Sequence, residues 1–184
     1  MAMTINGTGT ITGLSVGGLP VGTVNSATIL DGAVAPVDTQ VGALPSMVWL
    51  INFNGWGSTN TAIRRFLTTQ INQGTDITYA DSATLGSSFT INTNGVYAIS
   101  YSDIFSTNNF AGISLNSNQL TTPVAGITQS NIVAIGSSAA ANANINCQTT
   151  MYLPAGSVIR AHSSAGLTNG TNASSLIFTI TRVA

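Results

Sequence analysis

Apolar and polar residues alternate along much of this chain, in short runs broken by Gly, Asn and Pro. In residues 96–105, Tyr97, Ile99 and Tyr101 alternate with Ala98, Ser100 and Ser102, the period of a strand with one buried face. Residues 47–53 (MVWLINF) form a denser apolar run ending at Asn54-Gly55, a strong turn signal. Trp49 and Phe53 share a face of that strand and are expected in the core. Further strands are expected at residues 89–91, 112–116, 132–136, 143–153, 158–163 and 176–183. Residues 65–71 read as strand or as a short turn of helix. Helical periodicity is nearly absent, so the pattern predicts an all-β protein, a jelly-roll β-sandwich.

Residues 1–46 have a different texture. Thr8, Thr10 and Thr12 alternate with Gly9, Ile11 and Gly13, but Gly recurs every few residues and Gly-Leu-Pro and Ala-Leu-Pro punctuate the run. Its Ile, Leu and Val are too scattered to close a core, yet too frequent for a solvated linker. The reading is an extended Gly-rich arm or stem over 1–46 that buries those side chains against a partner, followed by a jelly-roll head over 47–184. No apolar stretch is long enough to span a bilayer as a helix. Met1 to Asn6 lacks the cationic start and apolar block of a secretion signal, so release by cell lysis is expected instead.

Charge changes the picture most. Only 5% of residues are charged, against about 25% in an average soluble domain. Lys and Glu are absent; the cations are Arg64, Arg65, Arg160 and Arg182, and every acid is Asp. A surface kept wet by Asn, Ser, Thr and Gln has little self-repulsion, and much of it is expected to be covered by other subunits. The same poverty argues against nucleic acid, whose phosphates are neutralised by Lys and Arg, and against an anionic membrane surface.

No catalytic constellation is evident, and no enzymatic activity or cofactor is expected. His162, the sole histidine, shares a strand face with Arg160 and has no obvious supporting carboxylate. Its expected place is a surface or subunit interface. Cys147 lies on the more apolar face of its strand and reads as a small buried hydrophobe; one Cys makes neither an internal disulfide nor a cysteine zinc site. Asp76, Asp81 and Asp103 form no Asp-x-Asp cluster and read as turn caps rather than calcium ligands or a glycosidase pair. Trp56, between two glycines, and Arg64, beside Arg65, join His162 as candidate surface or interface contacts. For Arg64 the expected contact is a hydrogen bond to backbone or Asp.

Residues 89–101 (FTINTNGVYAISY) resemble the signature of the complement-head family, related to the tumour-necrosis-factor jelly roll. Phe89, Gly95, Tyr97 and Tyr101 fill its places, and Ile99 stands where that family prefers Phe. Leu153, Gly156 and Val158 resemble its later strand entry, and residues 176–180 its closing strand. The resemblance covers about residues 85–184 and implies a jelly roll of about ten strands that assembles as a tight homotrimer. Some relatives of the complement head bind calcium. A second resemblance is to phage virion and tail-fibre proteins: Trp49, Phe53-Asn54-Gly55 and Ile63-Arg64 look like their W-x-x-F-N-G…I-R motif, with one residue more here between Trp49 and Phe53, and the Gly-rich arm looks like their stems. The expected role is a trimeric capsid cement or decoration protein on the virion surface, with the major capsid protein as partner. The alternatives are the receptor-binding knob of a short tail fibre or tailspike, touching host glycan or protein, and, more remotely, a secreted cellular recognition module.

Overall fold

The computed structural model describes residues 45–53, 57–105, 109–137, 140, 143–164 and 173–184. The expected arm lies outside the described residues except for Pro45 and Ser46, as does Trp56.

The described residues contain ten strands: β1 (Met47–Phe53), β2 (Thr68–Gln73), β3 (Ile77–Ala80), β4 (Ser88–Ile91), β5 (Gly95–Ile104), β6 (Phe110–Leu115), β7 (Ile132–Ser137), β8 (Asn144–Leu153), β9 (Val158–Ser163) and β10 (Ala173–Arg182). They form two five-stranded antiparallel sheets, β2-β1-β10-β5-β8 and β3-β4-β9-β6-β7, packed as a jelly-roll sandwich. The all-β expectation holds. Residues 65–71 resolve towards β2, and β3, four residues long, is an element the sequence pattern did not reveal.

Alternation determines which residues face inward. Tyr97, Ile99 and Tyr101 of β5, Leu176, Phe178 and Ile180 of β10, and Phe89 and Ile91 of β4 are all buried. The Phe89 and Phe178 rings stack between the sheets at 4.1 Å, and Phe66 closes on both at 6.2 and 5.5 Å. Phe66 comes from residues 57–67, outside the ten strands, which bridge to β9 through Ile63 and His162.

Trp49 corrects an expectation. Val48 and Leu50 are the fully buried residues of β1, and Trp49 lies half-buried on the opposite face. Every position of MVWLI is apolar, so alternation cannot choose the inward set; the register with β10, Val48 opposite Ile180 and Leu50 opposite Phe178, does. The side chain of Phe53 is outside the described set.

Two glycines have local reasons. Gly156 turns β8 into β9 at φ +88°, a conformation L side chains rarely adopt. At Gly95 a Cβ would stand 2.4 Å from the Ala184 carbonyl oxygen, so the backbone of residues 183–184 folds beside β5 only because no side chain is there. At this end Asp76 accepts hydrogen bonds from Ser46 (2.8 Å) and Arg182 (3.4 Å), joining the start of β1 to the end of β10.

Candidate functional site

The outward face of the β2-β1-β10-β5-β8 sheet carries no Asp, Glu, Lys, Arg or His among its described strand positions. Strand register sets out its rows: Ile71, Trp49, Thr179, Ser100 and Gln148 lie side by side, and Met47, Thr181, Ala98 and Thr150 form the next row. The β2-β1 side is apolar, with Met47, Trp49, Ile51 and Ile71 all half-buried; the β5-β8 side is hydroxyl and amide. Between them is an open depression of about 400 Å³ lined by Ala98, Ser100, Gln148, Thr150, Thr179 and Thr181. Tyr152, 59% exposed, stands at the β8 edge. Such a face offers hydrogen bonds and apolar area without charge to desolvate, which suits burial against protein.

The residues singled out from sequence are not gathered on this face. Arg64 is fully buried, not a surface contact: its Nε donates to Asp103 Oδ2 at 2.6 Å, and its guanidinium carbon lies 4.5 Å from the centre of the Phe105 ring. Tyr101 donates to the same oxygen at 2.7 Å; burial and the Asp103 charge push this phenol well above its ordinary value, so it remains a donor. Asp103 is therefore an ion-pair partner, not a turn cap, as is Asp81, held by Arg65. The sequence missed these pairs because each joins residues far apart in the chain. Cys147 is buried as expected, with burial pushing its thiol up to about 11.

His162 is likewise fully buried, though on the outward side of β9, because residues 116–131 fold back over the sheet. Two single-turn 3-10 helices, Val124–Gly126 and Gln129–Asn131, stiffen this cover, and Val124 packs against Gly112. The His162 Nε2–H donates to the Thr122 carbonyl at 2.9 Å, leaving Nδ1 to accept from the Ser114 hydroxyl at 3.2 Å. A hydroxyl beside an imidazole is a nucleophile–base arrangement, but both side chains are sealed from solvent, so it serves packing. Among the described residues no group of three or more His, Cys, Asp or Glu is placed to hold a metal.

Burial, with Arg160 adding to it and the Thr122 carbonyl opposing, lowers His162 from 6.5 to about 4. The unfolded chain therefore binds the extra proton first. The neutral ring's contribution is complete above pH 6.5 and falls as pH drops towards 4, by about 3 kcal/mol in all. Urea midpoints taken from pH 7 to 4 should show this loss, and a His162→Gln variant should lack that component. An imidazole titrating near 6.5 in the folded protein would contradict it.

No family model and no curated protein matches the chain. Among solved structures it is similar to murine APRIL at pH 8.5, with 12% identity, a TM-score of 0.51, and coverage of 76% of this chain and 100% of that one. Murine APRIL at pH 5.0 aligns over the same shares at 9% identity and a TM-score of 0.50. The fold is a tumour-necrosis-factor-like jelly roll. At this identity the likeness is one of fold. Within the tumour-necrosis-factor-like frame, Phe89, Gly95, Tyr97 and Tyr101 serve the core and the β4–β5 turn.

Proposed function

We propose that this chain is a non-enzymatic structural protein of a bacteriophage virion, a homotrimer that decorates the outer capsid shell as a cement protein. The observation that carries the reading is the charge-free, half-apolar outward face of the β2-β1-β10-β5-β8 sheet. In a chain with 5% charged residues, this broad neutral face is suited to lie against copies of itself. The W-x-x-F-N-G…I-R resemblance and the Gly-rich residues 1–46 support the virion setting, and the arm is the element to fasten the head to the major capsid protein. Each trimer then attaches through several weak contacts at once, which strengthens a shell without demanding one strong interface.

Light scattering should give three times the 18.7 kDa chain mass. Thr179→Arg places a cation in the central depression without touching the core. It should weaken self-association by about 100-fold or more, since an unpaired buried charge costs about 3 kcal/mol or more. An unchanged trimer would remove this face from the interface, and a wild-type monomer would end the trimer reading. Gold-labelled antibody on intact particles tests location. Label over the head supports the cement role; label confined to the tail replaces it with a receptor-binding knob.

A further inference from the structure

Arg64 carries hydrogen-bond donors that the described chain does not use. The contrast with its neighbour is instructive. Arg65, at the surface, meets Asp81 through both Nε and Nη2. Arg64, with no exposed surface, meets Asp103 through Nε alone. Asp103 has little more to offer: Oδ2 also takes the Tyr101 hydroxyl at 2.7 Å, and Oδ1 takes the Ile104 amide at 2.8 Å. Both Nη1 and Nη2 are buried and complete no well-formed hydrogen bond among the described residues; the Tyr101 hydroxyl lies beside the guanidinium and interacts with it, but one oxygen cannot satisfy both atoms. Of the five N–H donors of a guanidinium, four are on those two atoms. Phe105 covers one face of the group and supplies no lone pair for the Nη edge.

An ionised group in such surroundings is stable only when its donors are met. We infer that the Nη edge of Arg64 is a binding site for a small hydrogen-bond acceptor, a ligand the size of a water molecule or a halide ion. Size follows from burial: no side chain of a separate folded protein reaches a guanidinium with no accessible surface. Electrostatics ranks the two sources. Arg64 and Asp103 already cancel, so water leaves the cluster neutral, whereas a halide makes it anionic and competes with Asp103. Water is the favoured occupant. It would add to the tie that Arg64 and Asp103 already make between the 57–67 segment and the end of β5.

The test is a high-resolution crystal structure of the full chain grown in sodium bromide, with data collected at the bromine edge. A density peak within about 2.7–3.2 Å of Nη1 or Nη2 is expected. A peak without anomalous signal identifies water, and one with it identifies the anion; either establishes the site. Nη atoms packed against carbon alone, or met by an oxygen of the chain itself, would overturn it. In an Arg64→Met/Asp103→Leu variant the peak should vanish while the sandwich persists. A peak that survives there would show that Arg64 does not hold it.

Discussion

Phe178→Ala is expected to lower the unfolding free energy by about 3–5 kcal/mol, at the upper end for a single core truncation. Phe178 sits on the central strand of its sheet, and its ring stacks on Phe89 of the opposite sheet at 4.1 Å. Phe66 and Tyr101 flank it at 5.5 and 6.1 Å. The space left by the ring would be walled by aromatic groups from three other segments. Each is anchored by its own backbone, so collapse into the cavity is restricted and the penalty exceeds simple transfer. Urea midpoints at fixed protein concentration measure the effect. Leu67→Ala, at a residue 48% exposed, is the control and should stay within about 0.5 kcal/mol. A loss below about 1 kcal/mol at Phe178 would mean the two sheets are not keyed together there.

Asp103→Ala is expected to be comparably damaging, about 3–5 kcal/mol, for a different reason. It strands the Arg64 cation and the Tyr101 hydroxyl together in the interior, each having lost its carboxylate. The pair itself is not a large net stabiliser, because two desolvation penalties offset its attraction. Arg64→Met/Asp103→Leu should therefore recover the share due to the stranded cation, leaving about 1–3 kcal/mol for the Tyr101 hydroxyl that still lacks its acceptor. A double-mutant cycle by urea denaturation reads both numbers. If the double variant is as unstable as Asp103→Ala, packing at this end of the sandwich is the cause rather than a stranded charge.

Much of the sandwich was legible because alternation is a local property. Tyr97, Ile99 and Tyr101 announced the inward face of β5, and Leu153, Gly156 and Val158 announced the entry to β9. Legibility failed where local sequence is ambiguous or irrelevant. β1 is apolar on both faces, so only its pairing with β10 could turn Trp49 outward. Asp103 lies in phase with Tyr101 on the inward face of β5, and that phase alone was a sign that it is buried. Its partner, 39 residues away, was beyond reach of any spacing rule. His162 was expected at a surface or subunit interface because it shares a strand face with Arg160, opposite Ile159 and Ala161; the cover formed by residues 116–131 has no periodicity from which to foresee it. The neutral face was visible only as a deficit of charge, with no hint of which sheet would carry it.

The position of β10 bears on how the protein is made. It is the last of the ten strands in chain order, yet it is the middle strand of its sheet, between β1 and β5. Until a ribosome has delivered it, β1 with β2 and β5 with β8 are separate ribbons, each with a bare edge, and the Phe178 ring is missing from between the sheets. Folding of the head is therefore deferred until β10 has left the ribosome, when strands more than a hundred residues apart must meet. During that wait, sister chains on one messenger present the same unpaired edges to each other, so correct assembly and strand exchange between nascent copies compete from the start.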